Sequence, residues 1–130
     1  MKVKILKVKD KTDKFVKKKK KTFDMPFRLL LIGKTGMGKS SIIFNLLANE
    51  NPEFYSKEYE PENIFIFSNS LKGDAKLQTL IKHKDIPEEN LFNGYSEDSV
   101  GVVYDMLVDN YQDAIADKEK PEHSLLIFDD

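Results

Sequence analysis

The chain has no cysteine and no tryptophan, and a single arginine, Arg28, stands beside twenty lysines in its 130 residues. Without cysteine there is no disulfide frame and no thiolate metal centre. With one arginine, a bidentate reading of guanine edges in DNA is not supported. No apolar run approaches the ~20 residues that a membrane-crossing helix needs. Met1 to Val8 alternates apolar residues with lysines, which is too interrupted for a signal-peptide core. His83 and His123 stand far apart in polar stretches, without metal-ligand spacing. With 40% hydrophobic and 33% charged residues, the remaining class is one domain, or part of one, working in cytoplasm.

The formal charge of −1 conceals a division. Residues 1–21 carry eleven lysines against Asp10 and Asp13, and Lys17 to Lys21 is an unbroken run of five. The rest carries nine lysines and Arg28 against twenty acids. Residues 1–24 therefore read as a basic arm, with an edge strand at Val3–Val8, and residues 25–130 as the domain. A solvated arm needs no further function. A DNA-binding arm would use the same charge on phosphates, which requires no particular geometry.

Gly33-Lys34-Thr35-Gly36-Met37-Gly38-Lys39-Ser40 fits the phosphate-loop pattern G-x-x-x-x-G-K-[ST]. Phe27 to Ile32 before it reads as a buried strand, and Ser40 to Ala48 after it as an apolar helix. Strand, glycine turn and helix are what a phosphate cradle requires. Gly33, Gly36 and Gly38 supply backbone freedom, and the amides from about Lys34 to Lys39 are expected to face the phosphates. Lys39 is expected to reach the β- and γ-phosphates, Ser40 to offer its hydroxyl to Mg²⁺, and Ser41 to touch the α-phosphate.

Ser124 to Phe128 is an apolar strand running into Asp129 and Asp130. This has the form of a Walker B segment. Asp129 would hold Mg²⁺ or its waters at the carboxyl end of the strand. Asp130 falls where an acid can polarise the attacking water. An acidic pair with no such role is the plainer alternative.

Between these motifs, Ile64-Phe65-Ile66-Phe67 is a continuous apolar run, as in a parallel strand buried on both faces. A helix is expected from about Leu71 to Lys82, then a short extended piece at Leu91-Phe92. Ser96 reads as the N-cap of the longest helix, whose Val100, Val103, Tyr104, Leu107, Val108, Tyr111 and Ile115 keep helical spacing on one face. Glu88-Glu89 and Asp105, Asp109 and Asp113 read as solvated. The order predicts an α/β fold: a three-layer P-loop NTPase of the RecA-like (ASCE) division with a parallel sheet, truncated after the Walker B strand.

Met25 to Ser40 resembles the opening of the viral genome-packaging ATPases of the FtsK–HerA superfamily, found in poxviruses, other large DNA viruses and virophages. Ile64 to Ser68 resembles that group's second strand, and Leu126 to Asp130 its Walker B strand. Ser68-Asn69-Ser70 departs from the proline-containing turn of that group. The resemblance implies ATP and Mg²⁺ as cofactors, a homo-oligomeric ring, double-stranded DNA as the cargo, and a viral assembly site in host cytoplasm as the location. It also implies an arginine finger and a sensor residue, elements the family carries beyond its Walker B strand. On that count the 130 residues alone are expected to bind nucleotide with little turnover. Another ASCE or AAA-type ATPase, and a nucleotide-binding remnant without turnover, remain open as alternatives.

Overall fold

The structure, a computed structural model, describes residues 23–34 and 36–129. Nearly all of the basic arm with its expected edge strand, as well as Thr35 and Asp130, lies outside the described residues. The elements run α1 (Lys39–Ala48), β1 (Ile64–Ser68), α2 (Ala75–Lys84), β2 (Leu91–Asn93), α3 (Glu97–Ala116) and β3 (Leu125–Asp129). Short 3₁₀ turns at Pro61–Asn63 and Glu88–Asn90 lead into β1 and β2.

The three strands form one parallel sheet in the order β2-β1-β3. β1 is central and buried at every position, which is why its sequence is continuously apolar instead of alternating. Its side chains divide between two faces. Ile64 and Ile66 join Ile127, Leu47 of α1 and Leu80 of α2 in one core. Phe65 and Phe67 join Val103 of α3 in the other. Helices thus cover both faces. On the α3 side, Phe67 stacks on its two register partners, with ring centroids 4.6 Å from Phe92 and 5.0 Å from Phe128. This aromatic row spans all three strands.

Local chemistry sets the helix starts. The Asp74 carboxylate accepts from the Lys76 and Leu77 amides, so α2 begins at Ala75 and not at Leu71. Leu71 is buried, so its apolar character reflects core contact and not helical periodicity. Ser96 and Ser99 form a reciprocal capping box at α3, as the Ser96 reading anticipates.

Two further expectations are corrected. Residues 27–32 are not a strand: no sheet partner pairs with them among the described residues, and Leu30 and Ile32 are 79% and 86% exposed. The outer edges of β2 and β3 have no partner among the described residues, so want of an edge is not the reason; the segment's ring contacts lie at its start. Phe27 lies 5.1 Å from the ring of Tyr55 and 5.6 Å from that of Phe23. The second correction concerns α3, where Tyr104, Tyr111 and Ile115 are exposed although they share the apolar spacing. A 20-residue helix is ~30 Å long, whereas a five-residue strand spans ~17 Å. The C-terminal half of α3 therefore overhangs the sheet, which exposes Tyr111 and Ile115; Tyr104 lies in the first half and falls outside the packed face of Val100, Val103 and Leu107.

Candidate functional site

The glycine turn lies immediately before α1. Gly36 and Gly38 have φ of 84° and 92°, in the left-handed region where a side chain is disfavoured. Gly33 is not in that region. A methyl built there would lie 3.6 Å from Met37 Cβ and 3.8 Å from Lys39 Cγ and Cδ, which is ordinary van der Waals contact, so neither φ nor space requires glycine at this position. The Lys39 stem therefore lies back across the start of the turn. The Met37 amide donates to Lys34 O at 3.1 Å, so it closes the turn internally.

Gly38 is the N-cap of α1 and contributes no side-chain acceptor. The Ile42 amide donates to Gly38 O. Among the described residues, no backbone acceptor takes the amides of Gly38, Lys39, Ser40 or Ser41. These are the four donors that every helix leaves at its start, and they lie at the positive end of its dipole. An anion is the group that satisfies both.

The two serines of the turn are held by the start of α2. Ser40 Oγ donates to Asp74 Oδ2 at 3.0 Å. Lys76 Nζ donates to Ser41 Oγ. An open groove of about 210 Å³ continues along the same seam, lined by Ser41, Phe44, Asn45, Lys76 and Thr79.

Asp129 lies at the carboxyl end of β3, in register with Ser68 at the end of β1. Alternation puts both side chains on the α1–α2 face, and Ser68 Oγ donates to Asp129 Oδ2 at 3.4 Å. Ser68 is wholly buried. Ser40 and Asp129 are joined through the β1–α2 turn and not directly. The Asp74 amide donates to Ser70 O at 2.9 Å, and the Ser70 amide donates to Ser68 Oγ at 3.2 Å. The turn thus links the two motifs by consecutive hydrogen bonds, some of them long. Gly94, with φ of 88°, closes the same end by donating to Ser68 O at 2.8 Å.

The donor set suits the groups that the pattern implies. The amides at the start of α1, the Lys39 ammonium and an unobstructed turn match a polyphosphate; a Cβ at Gly36 or Gly38 would meet nothing within 4 Å. Ser40, Asp74 and Asp129 offer hard oxygens, which Mg²⁺ prefers. No cluster of three or more His, Cys, Asp or Glu able to hold a metal occurs among the described residues.

Asp74 and Lys76 were not visible as site residues in the sequence, because placing the helix start at Leu71 hides an N-cap. The available signal was Gly73-Asp74 ahead of an apolar-periodic segment, a helix-start pattern. His83 is exposed and faces the Phe44 ring at 5.9 Å. Glu88, Glu89, Asp105, Asp109 and Asp113 are exposed, as expected. No helix among the described residues is long and apolar enough to cross a membrane. Comparison with protein-family models, with curated proteins and with solved structures finds no match.

Proposed function

We propose that residues 33–41 bind the triphosphate of ATP together with Mg²⁺, and that the domain belongs to the RecA-like division of P-loop ATPases. The observation that carries this reading is the coincidence of the G-x-x-x-x-G-K-S pattern with two left-handed glycines and a helix starting at Lys39. The amides at the start of α1 would hold phosphate oxygens, the Lys39 ammonium would neutralise the β- and γ-phosphates, and Ser40 and Asp129 would hold the metal. Bound Mg²⁺ supplies charge neutralisation on the transferring phosphoryl group. Asp130, the final acid of the Walker B pattern, would orient water.

The finer reading is a DNA-translocating motor of the viral packaging type. It rests on the resemblance of residues 25–40, 64–68 and 126–130 to that group, and on the lysine-rich arm as a phosphate-contacting element. A second reading, nucleotide binding without turnover, is favoured by the exposure of Leu29, Leu30 and Ile32. The segment that enters the phosphate turn is uncovered, so the turn has less rigid support than catalytic geometry demands.

Titration calorimetry with ATP and Mg²⁺, followed by a phosphate-release assay on the same sample, separates these readings. Binding with release supports an ATPase, and binding without release supports the second reading. No binding removes both.

A further inference from the structure

Asp74 uses both carboxylate oxygens. Oδ1 accepts the Lys76 and Leu77 amides at 3.0 and 3.1 Å, which fixes the orientation of the group. Oδ2 is thereby turned out of α2 towards α1, where it takes the Ser40 hydroxyl hydrogen. An ordinary N-cap needs only the first of these contacts. Two residues further on, Lys76 touches Ser41. One helix start thus engages two consecutive serines of the phosphate turn.

A serine hydroxyl that coordinates a cation does so through an oxygen lone pair, and its proton needs an acceptor elsewhere. Coordination makes that proton more acidic, so a carboxylate acceptor forms a stronger, charge-assisted bond. Groups behind a metal ligand commonly fix its orientation and tune its basicity in this way. Among the described residues the hydrogen-bond partner of the Ser40 hydroxyl is Asp74, and Asp129 is bonded to Ser68 instead.

We propose that Asp74 is a positioning residue for the divalent cation: by accepting the Ser40 proton it leaves the Ser40 oxygen free to ligate Mg²⁺. The proposal rests on the nucleotide-binding reading above and adds an acid that the phosphate-loop pattern does not contain. It also ties metal occupancy to the start of α2, because the same carboxylate caps that helix.

The test uses the full 130-residue chain, ATP and a Mg²⁺ titration followed by calorimetry, with melting temperature recorded for each variant. Asp74→Asn keeps an N-cap of equal quality but presents an amide N–H to Ser40, which reverses the bond. The half-saturating Mg²⁺ concentration for ATP binding should rise about tenfold or more. ATP binding in EDTA and the melting temperature should stay unchanged. Ser40→Ala removes the same bond without touching the α2 cap, and Asp74→Asn should add nothing in that background. An unshifted Mg²⁺ midpoint in Asp74→Asn overturns the proposal while nucleotide binding stands. So does an equal loss of affinity with and without Mg²⁺, or an undiminished penalty in the Ser40→Ala background. Wild-type chain that binds no ATP at any Mg²⁺ concentration overturns the nucleotide reading and this one with it.

Discussion

Ser68 and Asp129 face one another across the β1–β3 ladder, with their side-chain oxygens 3.4 Å apart at the carboxyl ends of parallel strands. In open α/β sheets, ligand chemistry gathers at that end, because loops and helix starts converge there. Here the convergence is concrete. The turn from Ser68 to Asp74 runs from the Asp129 carboxylate to the Ser40 hydroxyl by way of Ser70. A shift at either motif is felt by the same seven residues.

Asp130→Asn separates binding from chemistry. Loss of a positioned base typically costs ~10²–10⁴ in rate, whereas Mg·ATP binding should be little changed. Phosphate release measured beside calorimetric affinity checks this. An equal fall in both would make Asp130 a metal ligand instead.

Tyr59 sets an alkaline limit on stability. Burial, reinforced by Tyr55 and Glu58, pushes its phenol up to about 12. The hydroxyl also donates to Met25 Sδ at 3.3 Å. A raised pKa means that the fold holds the proton more tightly than the unfolded chain, whose tyrosine titrates near ~10. The contribution is therefore complete below pH ~10 and is lost as pH rises from there through about 12. Urea denaturation across that window should show a steeper loss in wild type than in Tyr59→Phe. Parallel curves would contradict it.

Gly94→Ala should destabilise the fold by ~1–3 kcal/mol, the usual scale for a non-glycine residue held in a left-handed conformation. A Cβ there would also lie 2.6 Å from Asn69 Oδ1, although that side chain can turn away. The backbone strain remains whichever way Asn69 moves. The readout is the urea midpoint, and an unchanged midpoint would show that the turn relaxes.

Deleting residues 2–21 should weaken binding to double-stranded DNA and flatten its dependence on salt, since each phosphate contact contributes ~0.9 to the slope of log affinity against log salt. Fluorescence anisotropy at several salt concentrations measures both. An unaltered slope would leave the arm as a solvated tail.

Much of this fold was legible because its signals are local. β1 announces itself by Ile64 to Phe67, α1 by the apolar residues after Lys39, and α3 by Ser96 with Glu97 and Asp98 in the first turn. The failures are tertiary. Leu29, Leu30 and Ile32 have strand character, but a strand exists only where a neighbour's backbone pairs with it, and periodicity carries no information about pairing. Tyr111 and Ile115 have core spacing, but a short sheet leaves them uncovered. At the site, the glycine turn could be read from its pattern. Asp74 could not, because its role comes from a contact with a residue thirty-four positions away.

The most direct test of the central claim is calorimetric titration of the chain with ATP in Mg²⁺, beside Lys39→Ala. The account predicts a one-to-one binding isotherm for wild type and a loss of detectable binding in the variant, with both proteins melting alike. Identical isotherms for the two, or none for the wild type, would contradict it.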